Sequence, residues 1–449
     1  MDRHLLIRGA AHVLTMDGPG EAGRELRGAD IRVRSGIIAE IGRDFEARGA
    51  ETFDASAHLV TPGLVNTHHH LFQTLTRAVP AAQNASLFGW LRTLYPIWAR
   101  MTPDDVRVST TLGLAELALS GCSMSSDHLY LFPNGARLED SVEGAAPVGL
   151  RFHPTRGAMS IGESAGGLPP DALVEDEAAI LADCERAVAA LHDPRDGAMV
   201  RVGIAPCSPF SVSRGLMRDA AVLAREVGAR LHTHLAENDE DVSYSRKRFG
   251  MTPGEYAEDC GWVGEDVWHA HCVKLTPPEI ALFARTRTGV AHCPCSNGRL
   301  ASGIAPVAAM LSAGVPVGLG VDGSASNDRG DLLAEARQAM LLARLGHGAD
   351  AMSPRTALRL ATIGGAELLG RADCGRIAVG KRADLALWRL DGLEGAGSWD
   401  PAALPLAGAA RVDRLIVEGR DVVVGGALVT VDAAVLAEEA RGAAARLME

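Results

Sequence analysis

The sequence of 449 residues predicts an α/β fold, a (β/α)8 TIM barrel with a small β-sandwich domain formed by both chain ends. Eight short apolar runs that end in polar residues alternate with amphipathic helical stretches, as in βα units around a parallel sheet. Strand-like runs with turns fill the first segment and return near the end of the chain, and chain termini often lie close together. The predicted domains are 1–60 with 373–449 for the sandwich and 61–372 for the barrel.

The barrel strands are predicted from short apolar runs, which are LVTPGLVNTH, CSMSSDH, VGLRFHPTR, MVRVGIAPC, ARLHTHLAE, VWHAHC, GVAHC and VPVGLGVD. Helices are predicted between and after them, among others at EDEAAILADCERAVAALH, PPEIALFARTR, DLLAEARQAMLLARL and SPRTALRLATIGGAELLG. An alanine-rich segment from Asp432 predicts a last helix. Catalytic residues of such barrels lie at the C-terminal ends of the strands, so the polar residues that end these runs are the candidates.

Composition excludes several classes of partner. A hydrophobic content of 47% with 22% charged residues is typical of a globular protein. The net charge of −12 argues against a nucleic-acid partner, because proteins that bind nucleic acids usually have a basic face. The N-terminus lacks a signal-peptide pattern, and no apolar run reaches the length of a membrane span. The eight cysteines form no CxxC pair, which indicates reduced thiols. We expect a cytoplasmic homo-oligomer that acts on a small molecule.

A pair of histidines ends the first barrel strand, in GLVNTHHHL. Side chains two positions apart on a strand point to the same side, so His68 and His70 can hold one metal ion. His69 points the other way and is predicted to be structural. An HxH pair alone is weak evidence, because a satisfied core histidine is the simpler explanation of each residue.

Further strand ends carry the same residue types. His234 ends the fifth strand with Glu237 three positions later, and His232 lies deeper in that strand. His271 ends the sixth strand, and Asp322 ends the eighth. Taken singly, each is more simply a buried structural residue. With His292 at the seventh strand included, however, five of the eight strand ends carry histidine or aspartate.

Three imidazoles and one carboxylate with a position left open form a catalytic zinc site. The sequence therefore predicts one Zn²⁺ per chain, with iron as the alternative that tolerates the same donors. Glu237 lies close enough to shuttle a proton without binding the ion. The predicted ligands are His68, His70, His234 and Asp322.

Two other motifs are interpreted as decoys. A GxGxxG pattern at Gly318, Gly320 and Gly323 straddles a strand end with no helix directly after it, which argues against a dinucleotide site. Cys293 and Cys295 form a CxC without a second cysteine pair nearby. The H-x-E and P-C-x-x-C signature of one class of zinc deaminases is also missing.

The ordered motifs PGLVNTHHH, HLAE, AHCVKL, AHCPCSNGRLASGIAP and GVDGSASND resemble those of the amidohydrolase superfamily. The GRIAVGKRADLALW segment and the strand-rich chain ends are similar to that family as well. The resemblance implies the same four metal ligands, with Asp322 also taking part in catalysis. It places Glu237 as the glutamate of the family's HxxE motif and His271 as its sixth-strand histidine, so these three residues are the predicted catalytic groups.

The resemblance narrows to deaminases of aminated heterocycles, near guanine deaminases and chlorotriazine hydrolases. HHHLFQTLTRA and HCPCSNGRLASG are most similar to 8-oxoguanine deaminases, which implies the conversion of 8-oxoguanine to urate and ammonia. Many relatives have a histidine after the fourth strand, whereas this chain has Cys207 in APCSPFS. The cysteine argues against adenosine-type substrates.

Four residues are candidates for contacts with the substrate. Gln73 lies one turn beyond the HxH pair, and its amide can donate and accept along a purine or pterin edge. Arg156 could meet an electron-rich edge or pair with a carboxylate at the barrel top. Cys207 could line the ring face. Trp90 could cover the pocket, although aromatic residues at helical spacing are more often core.

Three alternatives remain open at this stage. A related enzyme of the branch would act on guanine, isoxanthopterin or a triazine. A ring-opening amidohydrolase would in many cases use a carboxylated lysine between two metals, and no lysine lies between His70 and His234. A catalytically dead scaffold relative would usually have lost ligands, and all four are present here.

Overall fold

The computed structural model describes residues 3–407 and 411–449. Its strands are β1 (His4–Ala10), β2 (His12–Leu14), β3 (Glu25–Leu26), β4 (Ala29–Arg34), β5 (Ile37–Gly42), β6 (Glu51–Asp54), β7 (His58–Pro62), β8 (Leu64–Asn66), β9 (Cys122–Leu129), β10 (Arg151–Ala158), β11 (Gly203–Pro206), β12 (Arg230–Leu235), β13 (Val267–His271), β14 (Gly289–His292), β15 (Val317–Leu319), β16 (Leu385–Arg389), β17 (Val412–Val417), β18 (Arg420–Val424) and β19 (Ala427–Leu428).

The α-helices are α1 (Leu87–Trp98), α2 (Pro103–Leu119), α3 (Leu138–Ala145), α4 (Glu177–Leu191), α5 (Arg214–Val227), α6 (Asp239–Phe249), α7 (Pro253–Asp259), α8 (Pro277–Thr286), α9 (Pro294–Arg299), α10 (Val307–Ala313), α11 (Ser324–Asn327), α12 (Leu332–His347), α13 (Pro354–Arg359), α14 (Gly365–Leu368) and α15 (Ala433–Met448). A π-helix over Leu360–Gly364 joins α13 to α14. Within the described ranges, no helix has the length and apolar character needed to span a lipid bilayer.

The strands β8 to β15 form a closed barrel in which every neighbouring pair is parallel. Each of the eight runs predicted from the sequence overlaps one of these strands, so the predicted fold class is confirmed. All eight strands therefore direct their C-terminal ends to one mouth of the barrel.

Both chain ends contribute to two sheets beside the barrel. The strands β1, β4, β5 and β6 form one sheet, and a seven-stranded sheet combines β2, β3 and β7 with β16 to β19. The two parts of the chain meet where β7 pairs antiparallel with β16. Leu5, Ile31, Val60, Leu385 and Ile416 fill a common core between the sheets. The domain boundaries inferred from the sequence remain a prediction.

Two of the helices predicted after the eighth strand, α12 and α15, begin at N-cap residues. Asp331 accepts from the backbone N–H of Ala334 at the start of α12, and Asp432 caps α15 in the same way. The last helix packs on the barrel rather than on the two terminal sheets, because Leu447 joins the barrel core and Arg446 bonds Asp105 at 2.8 Å.

Candidate active site

The four predicted metal ligands converge at the mouth of the barrel. Nε2 of His68 and Nε2 of His70 lie 3.3 and 3.4 Å from Oδ1 of Asp322. Nε2 of His70 lies 3.0 Å from Nε2 of His234. All four side chains are buried. Oxygen and nitrogen atoms from three strand ends therefore face one small volume.

The second nitrogen of each imidazole is fixed by a hydrogen bond that decides where its proton sits. Nδ1 of His70 donates to the carbonyl of His128 at 2.7 Å, and Nδ1 of His234 donates to the carbonyl of Cys207 at 2.6 Å. In neutral rings these bonds leave both Nε2 atoms without a proton. This is the form in which an imidazole binds a metal ion.

His68 reaches the same state through His232. Nδ1 of His232 donates to the carbonyl of Trp268 at 2.9 Å, so its Nε2 must accept. The donor to that Nε2 is Nδ1 of His68, 2.7 Å away. Nε2 of His68 is then bare and faces Asp322. His232 orients a ligand rather than competing for the metal.

Burial and charge favour the ligand forms. Burial lowers the pKa of His234 to about 3 and holds the pKa of His68 well below its usual value. Burial alone would raise the pKa of Asp322, but the adjacent His68, His271 and His70 hold that pKa well below the usual range. Three neutral imidazoles and an ionised carboxylate are the donor set of a catalytic zinc site.

One histidine of this cluster was missed in the sequence. A ring nitrogen of His128 lies within 4.8 Å of those of His68, His70 and His234. Nε2 of His128 donates to the carbonyl of Ala205 at 2.8 Å, and its Nδ1 has no hydrogen-bond partner among the described residues. The signal was available, because His128 ends the second predicted strand run.

Glu237 and His271 also face the ligand cluster. Glu237 follows β12, and His271 ends β13. Nε2 of His271 lies 3.7 Å from Oε2 of Glu237 and 3.9 Å from Oδ2 of Asp322. Burial raises the pKa of Glu237 to about 7. Burial opposes protonation of His271, but the carboxylates of Glu237 and Asp322 raise its pKa. This geometry places two titratable side chains directly against the predicted metal site.

Left-handed backbone conformations aim these side chains. Ala236, His271 and Asp322 have φ values of 52°, 71° and 61°. Non-glycine residues adopt this region at a cost of about 1–3 kcal/mol, and such residues cluster at functional sites. These three residues lie where three barrel strands turn into their loops.

A small cavity of about 30 Å³ opens above the cluster. Three of the four predicted substrate contacts line it, namely Gln73, Trp90 and Cys207. Sequence reasoning missed the other lining residues, which are mostly apolar. They are Leu87, Leu91, Tyr95, Tyr130, Phe210, Leu300 and Ser326.

The structure places Arg156, the fourth predicted substrate contact, apart from the other three. Its guanidinium bonds Glu175 at 2.7 Å and Asp183 at 2.8 Å, and it stacks over the ring of Phe132 at 4.0 Å. Arg156 does not line the cavity. The side chain instead satisfies two carboxylates beside the barrel, which is the alternative that the sequence had left open.

The amidohydrolase family model matches residues 59–422, which cover the whole barrel. The chain belongs to the amidohydrolase family. The chain is 48% identical to the 8-oxoguanine deaminase of Pseudomonas aeruginosa, over 92% of this chain and 95% of that protein. It is 41% identical to an isoxanthopterin deaminase of an unknown prokaryotic organism, over 97% of this chain and 95% of that protein.

A solved structure shows the same architecture. The atrazine chlorohydrolase of Arthrobacter aurescens TC1, complexed with zinc, superposes with a TM-score of 0.93 at 32% sequence identity. The match covers 98% of this chain and 100% of that one. The family is metal-dependent, and the histidine-rich cluster described above provides the donors that such a hydrolase needs.

Proposed function

We propose that this protein is a zinc-dependent hydrolytic deaminase that converts 8-oxoguanine to urate and ammonia. One observation carries the reaction class: the buried pair of Glu237 and His271 faces three bare imidazole nitrogens and a carboxylate at the base of a cavity. Identity of 48% with an 8-oxoguanine deaminase supports the choice of substrate.

His68, His70, His234 and Asp322 would hold a single ion. The absence of a lysine between His70 and His234 favours one ion over a bridged pair. A bound Zn²⁺ would supply the Lewis acidity that makes water nucleophilic near neutral pH, and iron would tolerate the same donors.

Glu237 is proposed to move the protons. Its Oε1 is buried without a hydrogen-bond partner among the described residues, and the side chain lines the cavity. From there the carboxyl group would give its proton to a ring nitrogen, take one from the new hydroxyl group of the intermediate and pass that one to the departing amine. The proton that Asp322 takes from the water would then restore Glu237. His271 faces the same point and would stabilise charge on the ring, while Asp322 would accept the proton of the attacking water.

Cys207 and Gln73 are proposed to set the fit of the ring. Sγ of Cys207 lies 3.9 Å from Nδ1 of His234 and lines the cavity, where a histidine would occupy more space. The carbonyl of the five-membered ring in 8-oxoguanine would fit beside this thiol. Gln73 is buried at the cavity wall, and its Oε1 is unpaired within the described structure, so it can accept from a ring N–H.

The substrate proposal is tested by comparing kcat/KM for 8-oxoguanine, guanine, isoxanthopterin and an aminotriazine with one preparation. We expect 8-oxoguanine to be best. A polar group left unpaired by the wrong ring costs about 1–3 kcal/mol, so guanine should react roughly ten- to a hundredfold less well. A clear preference for guanine or isoxanthopterin would overturn the substrate and leave the deaminase reaction in place.

A further inference from the structure

The short helix α9 carries two polar side chains that reach the site without lining the cavity. Oγ of Ser296 donates to Oδ2 of Asp322 at 2.5 Å. Oδ1 of the adjacent Asn297 lies 2.9 Å from Nδ1 of His271. Both side chains are fully buried. A single turn of chain after β14 is therefore bonded to residues at the ends of two other strands.

We propose that Ser296 and Asn297 are paired positioning residues, in which Ser296 fixes the orientation of the Asp322 carboxylate and Asn297 fixes the tautomer of His271. The assignment of roles to Asp322 and His271 rests on the proposed function. The positioning itself rests on the hydrogen bonds of this one turn.

Ser296 acts on the oxygen of Asp322 that faces away from the ligand cluster. Oδ1 of Asp322 faces His68 and His70, whereas Oδ2 accepts from Ser296 and, at 3.1 Å, from Ser326. These two hydroxyl bonds on Oδ2, together with the bond that Oδ1 accepts from the backbone N–H of Gly323 at 2.7 Å, hold the carboxylate plane with Oδ1 towards the imidazoles. Losing the stronger bond should let the carboxylate rotate and weaken metal retention.

Asn297 acts on the ring nitrogen of His271 that faces away from the cavity. A carbonyl oxygen can only accept, so Nδ1 of His271 carries the proton of this bond. Nε2 is then the nitrogen presented to Glu237 and Asp322. Without the acceptor at position 297, the ring can exchange tautomers or rotate, and the proton-carrying pair loses its geometry.

A buried glutamate also holds this turn in place through hydrogen bonds and so acts as a clamp. Oε2 of Glu335 accepts from the backbone N–H of Cys295 at 3.1 Å, and its Oε1 accepts from Nδ2 of Asn327 at 2.6 Å. Cys295 directly precedes Ser296, and Asn327 follows the Asp322 loop. The clamp thus joins the two loops whose polar side chains meet, which gives Ser296 and Asn297 a fixed base.

The first test compares Asn297→Leu with Asn297→Asp. Aspartate keeps an acceptor for Nδ1 of His271, whereas leucine keeps only the approximate size. With zinc content unchanged, we expect Asn297→Leu to lower kcat about 10- to 100-fold with little change in KM. Asn297→Asp should recover most of that loss. A merely structural role predicts that both variants fall together in kcat and in thermal stability.

The second test compares Ser296→Ala with Ser296→Thr, which retains the hydroxyl. The expected result is that Ser296→Ala loses zinc to a chelator about 10- to 100-fold more readily, while the threonine variant stays close to the parent protein. Ser324→Ala is the control, because Ser324 is an equally buried serine near Asp322 whose hydroxyl bonds nothing in the described part of the chain.

These readouts separate the positioning proposal from the proposed function. Zinc retention needs no substrate, and turnover can be measured with whichever heterocycle of the panel the parent protein deaminates best. If Asn297→Asp does not fold, the serine pair decides. The proposal is overturned if Ser296→Ala retains zinc as the parent does, or if folded, zinc-loaded Asn297→Asp is no better than Asn297→Leu.

Discussion

The floor and the roof of the cavity are built in opposite ways. The floor, defined by His68, His70, His234, His271 and Asp322, consists of polar side chains at strand ends, each with its orientation fixed by a hydrogen bond. The roof is mostly apolar and comes from helix α1 and from loops. It comprises Leu87, Trp90, Leu91, Phe210 and Leu300.

From this difference we expect the floor to determine the reaction and the roof to determine which ring is accepted. A floor in which every proton position is set by a backbone or side-chain partner can support one reaction with many rings. The roof sets which ring fits through shape and a few polar groups. Trp90 joins the two parts, because its indole N–H donates to the carbonyl of Ala325 at 3.2 Å, just beyond Asp322.

The largest expected effect comes from emptying the floor. Chelation of the metal should reduce ammonia release to background, and zinc should restore it at close to one ion per chain, because four donors surround one volume. Elemental analysis of protein purified without added metal measures the ratio. Two tightly held ions per chain would contradict the single-ion site.

Removing only the proton carrier should have the next largest effect. Glu237→Gln keeps the shape of the side chain and cannot carry a proton, so turnover should fall about 10²–10⁴-fold while zinc content stays unchanged. Steady-state kinetics with elemental analysis on the same sample checks this. Near-normal turnover in the zinc-loaded variant would rule out Glu237 as the proton shuttle.

Changing the cavity wall at Cys207, beside His234, should alter selectivity more than chemistry. Cys207→His fills the space beside His234, so kcat/KM for 8-oxoguanine should fall more than that for guanine, by about 1–3 kcal/mol or roughly five- to a hundredfold. Cys207→Ala, which empties the same space, is the matched control and should keep the preference. Equal losses for both purines in the histidine variant would show that Cys207 does not read the ring.

Replacing Arg156 should have the smallest effect on catalysis, because this residue belongs to neither the floor nor the roof. Arg156→Ala removes its bonds to Glu175 and Asp183, and we expect the free energy of unfolding to fall by about 1.5–3 kcal/mol. The ratio of kcat/KM between 8-oxoguanine and guanine should not change. Urea unfolding and the same kinetic assay test both parts, and a changed ratio would reopen a substrate role.

The sequence predicted the floor better than the roof for a physical reason. Strand ends of a parallel barrel meet at one mouth, so His68, His234 and Asp322 could be placed together from strand positions alone. The role of His232 depends on a chain of hydrogen bonds that only the folded structure reveals. The position of the Arg156 side chain could not be predicted, because an ion pair with a helix residue such as Asp183 leaves no pattern at a strand end.

The roof could be predicted only in part, because loops lack a fixed periodicity that ties sequence to position. Gln73 was proposed from its distance to the HxH pair and Trp90 from an aromatic-rich helical stretch, whereas Phe210 and Leu300 carry no such signal. The sheets at the chain ends were predicted from repeated strand texture. That texture does not reveal that α15 lies on the barrel.

We propose that this chain is a metal-dependent deaminase of 8-oxoguanine. The most direct measurement follows urate and ammonia together when zinc-loaded protein is given 8-oxoguanine. We predict one ammonia for each urate formed, and no product after the metal is removed. Failure of the zinc-loaded protein to release ammonia from 8-oxoguanine, guanine or isoxanthopterin would contradict the account.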